Sequence, residues 1–194
     1  MAKKKIKVAF DMDGVLLYNP SRIFRNLISR TKKAHLFPRE ELEFYHPQTQ
    51  FEDWFWLLLH KSSFKLATGF RELEKMLAAG DLEIYLVSGR FPCLQSDSAK
   101  WIKKLNRKNI FKGIYLNDKD EDPHLFKERM LKELKVDYFV EDNWDVVNYL
   151  SQTFKKSKLK TEVWWISNFL DQQIDYPHKY LSFKAVVEDL KKLT

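Results

Sequence analysis

The chain has 194 residues, a hydrophobic fraction of 44%, and only 5 glycines and 6 prolines, which excludes a disordered or fibrous protein and fits one core with a modest insertion. Thirty-four Lys and Arg against 27 Asp and Glu give a net charge of +7, which favours an anionic partner; the interspersed signs do not choose between a nucleic acid and a phosphorylated metabolite. A single cysteine, Cys93, excludes an intrachain disulfide framework and a multi-thiolate zinc site.

The opening MAKKKIKVAFDMDG is basic and only briefly apolar before Asp11, so it does not read as a signal peptide. Apolar runs such as Trp54 to Leu59 fall far short of the roughly 20 residues that span a bilayer. The expected location is the cytoplasm, with no transmembrane association.

In chain order, Ile6 to Phe10 is β-rich and reads as a first strand buried through Val8 and Phe10. Short apolar runs at Glu83 to Val87, Gly113 to Leu116, Tyr138 to Val140 and Val163 to Ile166 predict four more. Helical spacing fills the intervals. Phe70 to Ala79 stops before Gly80, and Ser96 to Leu105 has a Ser or Asp cap and a Trp101/Leu105 face. Pro123 opens a helix to Leu134 with Leu125 or Phe126, Met130, Leu131 and Leu134 facing inward, and Ser182 caps a last helix through Val186, Val187, Leu190 and Leu193. Such alternation predicts parallel crossovers and an α/β layer fold.

Between Tyr18 and about Thr68 the alternation stops, and two or three short helices are expected as a lid. The predicted division is 1–17 with 69–194 as an α/β catalytic core and 18–68 as an inserted helical cap. Its aromatics, Phe44, Tyr45, Phe51, Trp54, Phe55 and Trp56, lie among Lys32, Lys33, Arg39, Lys61 and Lys65. That mixture suits stacking on bases, but it equally builds a small cap's own core. The Lys155 to Lys160 stretch reads as a solvated loop. Trp164 and Trp165, adjacent on a strand, should enter opposite helical layers.

The most informative residues are Phe10-Asp11-Met12-Asp13-Gly14-Val15. Side chains two apart on extended backbone point the same way, so Asp11 and Asp13 can meet one ligand at a strand end, where Gly14 permits a turn. At the next strand end, Ser88, Gly89 and Arg90 offer a hydroxyl, an amide and a guanidinium suited to a phosphoryl oxygen. Asp142 and Asp145, after a later strand, are hard oxygen ligands of the kind Mg²⁺ requires, and Lys127 supplies a positive charge. No P-loop or dinucleotide fingerprint occurs, and the five histidines lack a metal-binding spacing.

This ordered set resembles the phosphatase branch of the haloacid dehalogenase-like (HAD-like) hydrolase superfamily. The resemblance implies a doubly wound, mainly parallel five-stranded sheet of order 5-4-1-2-3, with a small helical cap inserted after the first motif. It also implies a magnesium-dependent phosphomonoester hydrolase working through an aspartyl-phosphate. Asp11 would be the nucleophile and Asp13 the general acid/base, with Ser88 and Lys127 holding transferring oxygens. Mg²⁺ would meet the Asp11 and Asp142 carboxylates and the Asp13 carbonyl. Glu141 and Asp145 are further candidates as ligands or water anchors, and Met12, Gly89 and Arg90 are expected at the substrate, with pairing to a core-side carboxylate the alternative for Arg90. The expected partner is a small phosphorylated molecule, with nucleoside monophosphates first; a nucleic-acid end, or phosphate or RNA binding without catalysis, are the alternatives.

Overall fold

A computed structural model describes residues 5–19, 49–60, 63 and 65–194. Strand β1 (Ile6–Phe10) is flanked on one side by β4 (Leu82–Ser88) and then β5 (Phe111–Leu116). On its other side come β6 (Tyr138–Glu141), β7 (Glu162–Ile166) and β8 (Lys179–Tyr180). All these pairings are parallel. Taken as the chain runs, the first five strands have the expected order 5-4-1-2-3, and the short β8 adds a sixth strand outside β7.

Alternation along the strands separates two apolar layers. Val8, Phe10, Ile84, Leu86, Trp164 and Ile166 face one layer. It is completed by helix α2 (Phe70–Ala79), by Leu105 of α3 (Gln95–Leu105), and by α6 (Phe183–Leu193). Ala9, Tyr85, Val87, Phe139, Val163 and Trp165 face the other, against α4 (Pro123–Leu134) and α5 (Trp144–Ser157). The two tryptophans therefore enter opposite layers, as their adjacency on a strand requires. Phe10 is fully buried and meets the Phe183 ring edge-on at 5.6 Å; truncating such a side chain to alanine costs about 3–5 kcal/mol.

Two local expectations change. Helix α3 begins at Gln95, directly after a 3-10 turn over Pro92–Leu94, without a Ser or Asp side-chain cap. The Lys155 to Lys160 stretch is not wholly a loop, because Lys155 and Lys156 form the last turn of α5. That helix starts where Asn143 Oδ1 accepts the Asp145 amide at 3.0 Å. Its buried Val146, Val147, Leu150 and Phe154 supply the inward stripe.

Within the segment expected to form the lid, helix α1 runs over Gln50–His60. Thr49 and Glu52 open it with reciprocal bonds, the Glu52 amide to Thr49 Oγ1 at 3.3 Å and the Thr49 amide to Glu52 Oε2 at 3.0 Å. The helix packs on the 3-10 turn of Pro92–Leu94. Phe51 and Trp54 are exposed on it, so these two side chains do not serve as apolar core. Phe44, Tyr45, Lys32, Lys33, Arg39 and Lys61 lie outside the described residues. Strand β2 (Leu17–Tyr18) pairs antiparallel with β3 (Lys65–Leu66), bringing the two ends of the intervening segment together.

The chain steps outward from β1 to β4 and β5, then returns to β1's other side with β6. The strand order therefore reverses direction at β1, and it is outside the carboxyl ends of the strands at such a point that open α/β sheets bind ligands.

Candidate active site

Asp11 is the first residue beyond β1, and its amide donates to the Val140 carbonyl at 3.0 Å, which fixes it beside the end of β6. Glu141 ends β6 and Asp142 follows it. Oxygens of Asp11, Glu141 and Asp142 come within 4.8 Å of one another, and all three residues are buried. Burial is the main force on the Asp11 carboxyl; Lys127 opposes it, while Glu141, Asp142 and Asp13 add to it, and together they push the group up to about 8.

Lys127 lies one turn into α4, where its ammonium is 3.3 Å from Asp11 Oδ1 and 2.5 Å from Glu141 Oε2. Burial works against that charge, but Asp11 and Glu141 outweigh it and hold the lysine protonated. The other Glu141 oxygen accepts the Asp142 and Asn143 amides at 3.1 and 3.0 Å. Glu141 thus anchors both Lys127 and the turn that presents Asp142.

Past Asp11 the chain turns sharply. The Met12 carbonyl accepts the Leu16 and Leu17 amides at 3.1 and 2.9 Å, and the Gly14 amide donates to the Leu17 carbonyl at 2.9 Å. Gly14 adopts φ +74°, and a Cβ there would lie 2.0 Å from Asp142 Oδ2. Only glycine lets the turn approach that carboxylate so closely.

Asp13 and Asp11 leave this turn in different company. Asp13 accepts two bonds from the Arg90 guanidinium, at 2.6 and 2.8 Å, and one from Ser63 Oγ at 3.1 Å. Arg90 also donates to Asp97 and Ser98 on α3. Ser88, the last residue of β4, is buried. A Cβ on Gly89 would lie 2.9 Å from Pro123 Cβ and 3.3 Å from Lys127 Cε, so its bare backbone allows α4 to bring the lysine in.

The sequence-predicted set is therefore gathered at one end of the sheet, with differences in detail. Met12, expected at the substrate, buries its side chain completely in the apolar core; only its main chain faces the turn. Asp145, on the first turn of α5, is outside the cluster formed by Asp11, Glu141 and Asp142. Ser63 and Asp97, which meet the Asp13–Arg90 pair, were not singled out from the sequence. Asp97 had a readable clue, lying at the start of a helical pattern just after Arg90; Ser63 had none, because it meets Asp13 across 50 residues. Cys93 offers little nucleophile, since burial, followed by its bond to Asp53, pushes the thiol up to about 11.

The donor set fits a divalent cation. All three clustered side chains are hard carboxyl oxygen donors beside one ammonium, and when ionised they carry an excess of negative charge that a small ion of charge two balances.

No protein-family model matches the chain, and no curated protein matches it either. Solved structures do. YfnB of Bacillus subtilis, assigned as a HAD-hydrolase and bound to magnesium, superposes with a TM-score of 0.59 at 11% identity, over 98% of this chain and 99% of its own. A protein of Thermotoga maritima assigned as a beta-phosphoglucomutase gives 0.58 at 14% identity, over 97% and 100%. CbbY of Rhodobacter sphaeroides, in complex with phosphate, gives 0.51 at 13% identity, over 94% and 96%. The chain has the fold of the HAD-superfamily hydrolases.

Proposed function

We propose that the protein is a magnesium-dependent phosphomonoester hydrolase. The observation that carries this reading is the Asp11 carboxylate itself, held at a strand end between the Lys127 ammonium and the Glu141/Asp142 pair, with a second aspartate two residues on. The same fold in magnesium-bound and phosphate-bound proteins supports it.

Asp11 attacks phosphorus and forms an aspartyl-phosphate, dividing one difficult substitution into two easier ones. Asp13 gives a proton to the departing alkoxide and then takes one from the water that cleaves the acyl-phosphate. Lys127 and Ser88 stand where a transferring phosphoryl group would bring its oxygens, and their fixed donors favour the charge that develops there. Asp11 and Asp142 would hold Mg²⁺ together with the Asp13 carbonyl, while Glu141 fixes Lys127 and the Asp142 turn; Asp145 is left as a water anchor. When bound, the ion neutralises phosphoryl charge and favours ionised Asp11. The Gly89 amide and the Met12 main chain complete the substrate contacts.

Residues 18–68 would act as the cap over a core of 1–17 and 69–194, in a cytoplasmic enzyme. The substrate is a small phosphorylated molecule, with nucleoside monophosphates the first to test; the net charge of +7 favours an anion without choosing among them.

A panel of small phosphomonoesters tests the reading. Turnover should need Mg²⁺, cease on chelation, return when the ion is restored, and vanish in Asp11→Asn. Full turnover with chelator present, or in Asp11→Asn, would reject it.

A further inference from the structure

Arg90 stands just after Ser88 and Gly89, a position from which a guanidinium could grip a substrate phosphate. Its surroundings assign it elsewhere. Nε donates to Asp13 Oδ2 at 2.6 Å and Nη2 to Asp13 Oδ1 at 2.8 Å. This parallel two-bond fork fixes the plane of a carboxylate as well as its place. Nη1 donates to Asp97 Oδ2 at 2.8 Å and to Ser98 Oγ at 3.3 Å. Four of the five N–H bonds of a guanidinium are thereby committed, and the side chain is only 3% exposed.

The anchors come from two directions. Asp97 and Ser98 belong to the first turn of α3, so regular structure holds the guanidinium from behind. From the other side, buried Ser63 donates to Asp13 Oδ1 at 3.1 Å. Ser63 lies between α1 and β3, on the part of the chain that returns to the core at β3. Asp13 is therefore gripped both by the core and by the inserted segment.

We propose that Arg90 is a positioning residue for Asp13: with Ser63 it fixes the carboxylate plane that must align with the leaving-group oxygen, and it does not bind the substrate phosphate. This rests on the reading of Asp13 as the proton-transfer group. The fork matters more than the charge, because a lysine supplies one point charge and cannot hold both oxygens in a plane. Arg90→Lys therefore loosens Asp13 while preserving the local charge.

The test compares Arg90→Lys, Ser63→Ala, Ser63→Thr and Asp13→Asn, and Arg90→Lys combined with Asp13→Asn, on an alkyl phosphate and on nitrophenyl phosphate at saturating magnesium. Binding of inorganic phosphate to each protein is measured by calorimetry. Arg90→Lys should lower kcat for the alkyl ester about tenfold or more, with KM and phosphate affinity within about twofold, since misplacing a catalytic group costs rate and not ground-state binding. The nitrophenyl ester should suffer less, and the substitution should add nothing to Asp13→Asn. Ser63→Ala should repeat the pattern more weakly, and Ser63→Thr should restore most of the rate.

A loss of phosphate affinity of about tenfold in Arg90→Lys, or a rate loss undiminished in the Asp13→Asn background, would make Arg90 a clamp and overturn the proposal. If the wild type hydrolyses neither ester, the hydrolase reading fails by itself. The pairing is then judged by urea unfolding of Arg90→Gln, Asp13→Asn and the double variant. Coupled residues leave the double variant no less stable than Arg90→Gln; additive losses overturn the pairing.

Discussion

Gly14 shows at single-residue scale how tightly the two halves of the site are joined. A methyl group there would lie 2.0 Å from Asp142 Oδ2, and the φ of +74° adds a backbone penalty of about 1–2 kcal/mol for any other residue. Gly14→Ala should therefore raise the Mg²⁺ concentration needed for half-maximal turnover by about tenfold or more, as expected when a metal ligand is displaced. A magnesium titration checks it, and an unchanged requirement in a folded variant would remove Asp142 from the site. Lys127 gives a second prediction. Its ammonium is almost fully buried between Asp11 and Glu141, and removing one member of such a pair costs about 3–5 kcal/mol. Lys127→Met should be destabilised by about that amount in urea without magnesium, and added Mg²⁺ should recover part of it by restoring positive charge; no dependence on magnesium would count against a cation at this cluster. That Asp11, Asp13, Ser88 and Lys127 gather at one end of the sheet was readable from the sequence, because each lies at or just past a strand end or within the first turns of a helix. The grip of Ser63 on Asp13 was not readable, because nothing in the Ser62-Ser63 pair marks one serine over the other and the partner is remote in the chain.

At the scale of elements, α4 and α5 meet where the His124 ring stands edge-on to Tyr149 at 4.6 Å. Burial lowers the His124 pKa from its ordinary 6.5, and the nearby Asp122 and Glu128 only partly oppose this. The unfolded chain consequently binds a proton more readily than the folded one. Stability from this group is complete above about pH 6.5 and is lost as the pH falls below it toward the lowered folded value. Urea midpoints measured from pH 7.5 to 5.5 should fall more steeply in the wild type than in His124→Gln; parallel curves would show that His124 contributes nothing to acid sensitivity. The elements themselves were unevenly legible. The strand at Ile6–Phe10 and the helix at Phe70–Ala79 carried clear patterns with a glycine at or near the exit. Helix α5 was obscured because its start, Asn143-Trp144-Asp145, sits inside the acidic motif and drew attention to chemistry instead of capping. Strand β8 has two residues, too few for any alternation, and is placed by its pairing with β7.

For the whole molecule, the order of the five central strands followed from a family resemblance carried by motifs at strand ends, since hydrophobic periodicity identifies strands without saying which are neighbours. The sixth strand extends that order at its edge and leaves the reversal point at β1 unchanged. Among the described residues, no helix is long and apolar enough to cross a membrane. The net charge of +7 favours an anion, and the salt dependence of binding reads that anion's size. A ligand with one phosphate should show a shallow fall in affinity with salt, whereas an extended nucleic acid releases a counterion at each contact and loses affinity steeply. Matched mononucleotide and oligonucleotide binding to Asp11→Asn across salt should show the shallow response and no oligonucleotide advantage; a steep slope with tighter oligonucleotide binding would shift the substrate to nucleic-acid ends. The central claim is that Asp11 carries the phosphoryl group between two chemical steps. Rapid acid quenching of Asp13→Asn during turnover of nitrophenyl phosphate, followed by peptide mass spectrometry, reads this directly. The account predicts one phosphoryl group on the peptide containing Asp11, absent from Asp11→Asn; robust wild-type hydrolysis that persists in Asp11→Asn, with no phosphorylated peptide in any variant, would contradict it.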